Sequence, residues 1–79
     1  MKYVYILESE QESGHYYTGI TDSLEERLAK HNAGDVKHTS KYIPWRIKTY
    51  IAFSDREGAF EFEQYLKSDS GRAFVKKRL

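Results

Sequence analysis

Residues 2–8 read Lys-Tyr-Val-Tyr-Ile-Leu-Glu, and in an extended chain their alternation puts Val4 and Ile6 on one face and Tyr3, Tyr5 and Leu7 on the other. Apolar side chains on both faces mark a central strand covered on both sides, so the fold must supply two strand neighbours and two covering layers. Ser9 to His15 form a polar turn longer than a two-residue hairpin, and Tyr16 to Ile20 return as a second strand. Arg46 to Phe53 read as a half-buried third strand, with Ile47, Thr49, Ile51 and Phe53 on the apolar face and Arg46, Lys48 and Tyr50 opposite.

Helix signals fill the gaps between these strands. Ser23-Leu24-Glu25-Glu26 has capping-box spacing, and Gly34 stands where a left-handed residue ends a helix, so a helix is expected at 23–33. On its wheel Leu24 and Leu28 form the buried stripe, Arg27 and His31 border it, and Glu26 and Lys30 face water. Residues 35–45 read as a polar loop. Ser54 to Glu57 repeat the capping spacing and open a helix to about Ser68, with Ala59, Phe62, Tyr65 and Leu66 inward and Glu63 on the edge of that arc. A break at Ser68–Gly71 then leads to a short basic helix. The expected class is α+β, a three-stranded antiparallel sheet flanked by helices in the order β-β-α-β-α-α.

With 79 residues the chain makes one domain, 1–79, of a size that buries only about 60% of its unfolded surface. Aromatic residues at 15% compensate by supplying large buried areas. Cysteine is absent, so no disulfide contributes. No signal-like N-terminus and no apolar run near the roughly 18 residues of a membrane span is visible, which makes a soluble, cytoplasmic protein without membrane contact the expectation.

The net charge of +1 hides an uneven distribution. Residues 1–26 set Lys2 against six carboxylates, whereas residues 27–53 set six basic groups against Asp35 alone. After an acidic stretch at 54–64, residues 65–79 carry Lys67, Arg72, Lys76, Lys77 and Arg78 opposed only by Asp69. Two basic segments lining one groove would follow a phosphate backbone, with Lys41, Arg46, Lys67 and Arg72 as candidate nucleic-acid contacts. The alternative is ordinary solvated charge.

The residues that border the buried stripes carry chemistry. Tyr5 and Tyr17 are phenols, Arg27 is a permanent cation, His31 titrates near neutral pH and Glu63 is an isolated carboxylate. That set suits metal-assisted cleavage of a phosphodiester, which needs a positioned water, charge neutralisation on phosphoryl oxygens and help for the leaving oxygen. Each has a plainer reading: core phenols, an ion pair at the core edge, a space-filling histidine, and an i,i+4 pair between Glu63 and Lys67. Tyr3 and Tyr16 are expected to be core phenols, and His15 and His38 solvated loop residues. No His pair has zinc-ligand spacing.

Taken in order, Tyr3-Val4-Tyr5, then Tyr17-Thr18-Gly19, then Leu24, Arg27, Leu28 and His31, then Pro44-Trp45, then Ala59, Glu63 and Lys67, the chain resembles a GIY-YIG nuclease domain. It is most similar to the small single-domain group like the N-terminal domain of the excinuclease C subunit. The resemblance implies a DNA endonuclease acting in repair or recombination, with Glu63 as the protein ligand of Mg²⁺ or Mn²⁺ and Arg27 on the scissile phosphate. Tyr5 or Tyr17 would orient or deprotonate the attacking water, in a field from Arg27 and the metal that lowers a phenol's pKa, and His31 would relay a proton. Gly19 would let backbone or substrate approach beside Tyr17. Mg²⁺ keeps most of its waters and takes one or two carboxylates, so a single-carboxylate site is chemically consistent.

The chain differs from the family pattern in having Tyr3 for glycine and Thr18 for an aliphatic residue. It also lacks an asparagine after Glu63, where Ser68–Arg72 stands. A domain of this size implies a partner protein or a homodimer for target choice. Two other readings compete: a nucleic-acid-binding module without catalysis, and a protein-interaction adaptor using Trp45 and Phe74 as exposed aromatics.

Overall fold

In the computed structural model, which describes residues 1–79, β1 (Lys2–Ser9) is the middle strand of a three-stranded antiparallel sheet. It pairs with β2 (Tyr16–Thr21) on one side and β3 (Trp45–Phe53) on the other. Helix α1 (Leu24–Asn32) follows the hairpin, and α2 (Arg56–Leu66) and α3 (Asp69–Arg78) follow β3. The sequence order is β-β-α-β-α-α, and no helix is long and apolar enough to cross a membrane.

The two faces of β1 build two separate cores. Val4 and Ile6 pack with Ala59 and Leu66 of α2, flanked by Phe53, Phe62, Phe74, Val75 and others. Tyr5 and Leu7 pack with Trp45, flanked by Tyr17, Leu24, Leu28, Tyr42, Ile43 and Ile47. Covering a three-stranded sheet on both sides lets so short a chain bury a strand from Val4 to Ser9 without interruption.

Several local expectations are corrected. Ile6 pairs with Thr49 but Leu7 with Ile47, so a bulge inserts Lys48 and the simple alternation of β3 fails there. Ile47 consequently joins Leu7 and Trp45, while Phe53 lies with Val4 in the other core. The second capping residue is Asp55, one position beyond Ser54, and it accepts from the amides of Glu57 and Gly58. The break expected at Ser68–Gly71 is confined to Lys67–Ser68, and Ser68–Gly71 form the cap and first turn of α3, with Ser68 Oγ accepting from the Gly71 amide at 3.1 Å. A Cβ at Gly71 would overlap the Tyr65 carbonyl and come within 2.5 Å of Leu66 Cα, so glycine allows α3 to close directly onto the end of α2. Within the loop expected at 35–45, Ser40–Tyr42 form a 3₁₀ turn. Trp45 is buried rather than exposed, its indole N–H donating to the Thr39 carbonyl at 2.8 Å, and Phe74 packs against the first core. Neither of the two aromatics named for the adaptor reading is therefore exposed. His15 stacks on Tyr42 with ring centroids 3.8 Å apart, while His38 is exposed.

Candidate active site

Tyr5 points from the middle strand toward α1, and its ring crosses the place where β2 carries Gly19. The two residues are cross-strand partners, and a Cβ at Gly19 would overlap the Tyr5 hydroxyl and lie 2.5 Å from Cζ. The space beside Tyr17 thus belongs to the Tyr5 phenol, not to backbone or substrate as the sequence suggests. Helix α1, capped by Ser23 Oγ on the Glu26 amide, presents Arg27 and His31 one turn apart on the face that meets this phenol. Arg27 Nε donates to Tyr5 Oη at 3.3 Å, and Tyr5 Oη lies 2.9 Å from His31 Nε2.

A further residue fixes the direction of these bonds. His31 Nδ1 is 2.7 Å from Thr39 Oγ1, and that hydroxyl donates to the Val36 carbonyl at 3.3 Å. With its proton committed to Val36, Thr39 accepts from His31 Nδ1–H. Nε2 therefore carries the lone pair and accepts from the Tyr5 hydroxyl. Thr39 is 1% exposed and lies in a loop that reads as solvated, so periodicity offers no signal for it. Asn32 is similarly invisible in the sequence. Its side chain donates to the Trp45 carbonyl and accepts from the Trp45 amide, tying the end of α1 to the start of β3.

Burial sets the proton chemistry. His31 is fully buried, and desolvation together with the Arg27 charge lowers its pKa from 6.5 to about 4. It is neutral at physiological pH and does not titrate near 7 as the sequence suggests. Tyr5 is also raised above its usual 10: desolvation outweighs the hydrogen bond and charge of Arg27, with Tyr17 and Glu63 adding to the rise. The expected lowering of this phenol by Arg27 is overturned by its burial. Arg27 is pushed up, first by its hydrogen bond to Tyr5, with both phenols contributing.

Tyr17 completes the cluster, its ring centroid 6.5 Å from Tyr5 and 5.1 Å from His31. Unlike Tyr5 it is only half-buried and borders an open groove. Glu63, from α2, is 5% exposed yet close enough to act on Tyr5 electrostatically. Its Oε2 pairs with Lys67 Nζ at 2.6 Å and its Oε1 accepts from Gln64 at 2.8 Å. The i,i+4 pair is real, but its carboxylate is buried rather than solvated. A hard oxygen donor that already holds a cation, whose side chain is 47% exposed and free to swing away, fits a divalent ion bound mostly through water.

The four candidate nucleic-acid contacts divide. Lys67 and Arg72 line the open groove beside Tyr17. Arg46 is paired at 2.5 Å with Glu8, whose carboxylate also receives the Gly14 amide, so it braces the β1–β2 turn. Lys41 is exposed near Gln11, Glu12 and Tyr42. No residue between 27 and 53 lines the groove, so the two basic segments do not share it as walls.

A family model, GIY-YIG catalytic domain, matches residues 1–78. The chain is 39% identical over 67 residues to a UPF0213 protein of Haloquadratum walsbyi, covering 84% of this chain and 73% of that protein. It is 36% identical over 72 residues to a UPF0213 protein of Streptococcus pyogenes serotype M5, covering 90% and 76%. With a UPF0213 protein of Lacticaseibacillus paracasei it shares 38% identity over 55 residues, which span 68% of this chain and 62% of that one. The solution structure of a UPF0213 protein from Bacillus halodurans aligns with a TM-score of 0.57 at 33% identity, covering 98% of this chain and 84% of the other. These likenesses agree with the β-β-α-β-α-α fold, and the chain belongs to the GIY-YIG catalytic domain family, whose chemistry is of nuclease type.

Proposed function

We propose that this protein is a metal-dependent DNA endonuclease that hydrolyses phosphodiester bonds at the Tyr5 cluster, in the cytoplasm and in the service of DNA repair or recombination. One observation carries the reading: a single buried phenol receives a hydrogen bond from Arg27 and offers its proton to a neutral His31, beside a second, accessible phenol. Elements far apart in sequence converge there on groups that phosphoryl transfer requires.

In this reading Tyr17 orients the attacking water from the groove side. Tyr5 has one lone pair beyond those its present partners use, so it accepts a hydrogen bond from that water while donating its own to His31 Nε2, which fixes the water's orientation. Arg27 holds the Tyr5 hydroxyl in place through Nε and binds a non-bridging phosphate oxygen through its remaining N–H groups. Glu63 would hold Mg²⁺ or Mn²⁺ once Lys67 moves aside, and a bound divalent ion supplies charge neutralisation at the phosphate and leaving oxygen.

The test is cleavage of labelled duplex, flap, fork and single-stranded DNA with Mg²⁺, Mn²⁺ or EDTA. Wild-type protein should cut only with metal, and Glu63→Gln, which keeps the side-chain size but not the charge, should cut about a hundredfold more slowly. Equal cutting by purified wild type and variant would overturn the assignment. Because both Glu63 oxygens are already partnered, a second reading is a binding module without catalysis. It requires salt-sensitive DNA binding by wild type with no cutting in any metal.

A further inference from the structure

Tyr16, expected in the core, is instead 45% exposed at the edge of the sheet, and it borders a groove of about 600 Å³ between β2 and the α2–α3 corner. Lys67, Arg72 and Lys76 line the same groove, and no carboxylate does. Arg72 and Lys76 lie one turn apart with Val75 between them, so α3 turns a single mixed face, cationic and apolar, toward β2. Neither Arg72 nor Lys76 is paired with any acidic group of the chain. Lys48, placed by the β3 bulge, sits 5.9 Å from the Tyr16 ring centroid and donates to the Leu79 main-chain oxygen at 2.5 Å. Lys48 thus lies over one face of a ring that is otherwise largely open to solvent, which leaves the opposite face for stacking.

We propose that this groove binds an unpaired nucleic-acid strand, one base stacking on Tyr16 while Lys67, Arg72 and Lys76 follow its phosphates. The volume falls within the roughly 300–1,000 Å³ typical of small-ligand sites, enough for individual nucleotides. A duplex keeps its base faces stacked internally and has nothing to lay on an exposed phenol or against Leu66 and Val75. An unpaired strand has both a π-face and a backbone charge to offer. Tyr17 borders the groove and packs beside Tyr5 and His31, and Lys67 borders it and pairs with Glu63, so the groove and that cluster are neighbours at the β2 edge. That the strand leads to a scissile bond rests on the nuclease reading, whereas the groove's affinity does not.

Fluorescence anisotropy in EDTA, where no metal-dependent cutting occurs, separates the two. A labelled oligo-dT should bind more tightly than a duplex of equal length. Tyr16→Ala should weaken oligo-dT binding about tenfold and Tyr16→Phe should restore it. Arg72→Ala with Lys76→Ala should lower affinity and reduce the dependence on salt by roughly 1.4 in log–log slope, the value for two lost phosphate contacts on a single strand. These exposed positions keep the fold, which circular dichroism checks, and Lys76→Gln alone gives a milder second variant. Unchanged oligo-dT affinity in both Tyr16→Ala and the double variant, or a preference for duplex, overturns the proposal. Cutting by wild type with no effect of the groove variants would overturn the groove alone. Groove-dependent binding with no cutting in Mg²⁺ or Mn²⁺ would overturn the nuclease reading and leave the groove standing.

Discussion

Gly19→Ala is expected to lower cleavage about a thousandfold and to cost about 3 kcal/mol of stability, although it adds one methyl group to a strand. The methyl would overlap the Tyr5 hydroxyl and stand 2.5 Å from Cζ. A free phenol at the tip of a mobile side chain would turn aside at little cost. Tyr5 has no such freedom, being 2% exposed and held between Arg27 and His31. Moving its ring breaks two hydrogen bonds, one of them with a cation, and misplaces Arg27 and His31 together. The loss in rate should therefore exceed that of removing any one of the three. The measurement is a chemical-denaturation midpoint beside a cleavage rate for Gly19→Ala and for Tyr5→Phe, which removes the hydroxyl but leaves the ring. If Gly19→Ala is as stable and active as wild type, the phenol is not confined as described. If Tyr5→Phe is fully active, the hydroxyl has no role in the reaction.

The same glycine shows where reading the sequence succeeds and where it stops. Alternation in residues 2–8 is local, and it correctly marks β1 as central because burying both faces of a strand leaves a period-two signature. The Ser23 cap and Gly34, at φ +80°, are equally local and frame α1 with Arg27 and His31 on its inward side. What fills the gap left by Gly19 depends on cross-strand register, and no local pattern encodes a register. Thr39 is hidden for the same reason, since only the tertiary fold brings that loop residue under the imidazole. The β3 bulge defeats alternation outright: Lys48 is an ordinary polar position in the sequence, yet inserting it sends Ile47 and Phe53 to opposite cores. Signs of charge were legible in the sequence, but burial reversed the expected direction at Tyr5 and took His31 out of the neutral range, because desolvation is a property of the packed molecule.

Burial of His31 also makes stability depend on pH in a defined window. The imidazole has a pKa near 6.5 in the unfolded chain and about 4 in the fold, so between those values the unfolded chain binds a proton that the folded one refuses. Stability from this group is complete above pH 6.5 and falls as the pH drops toward 4, by up to about 3 kcal/mol. Urea midpoints from about pH 7.5 to 4.5 should show this slope, and His31→Gln should be less stable at the upper end yet flatter across the window. Parallel curves for the two proteins would mean that His31 protonates freely within the fold. The window matters for chemistry because Nε2 accepts the Tyr5 hydrogen bond only while it keeps its lone pair, and Thr39 holds the other ring proton in place. Thr39→Val should therefore slow cleavage with little change in DNA affinity, and Thr39→Ser, which keeps the hydroxyl, should restore it. A Thr39→Val protein that cuts at the wild-type rate would show that the tautomer is set elsewhere. The low pKa of His31 thus serves the site in one direction: it keeps the imidazole neutral beside a permanent cation, so that Nε2 accepts the hydrogen bond that orients the Tyr5 hydroxyl.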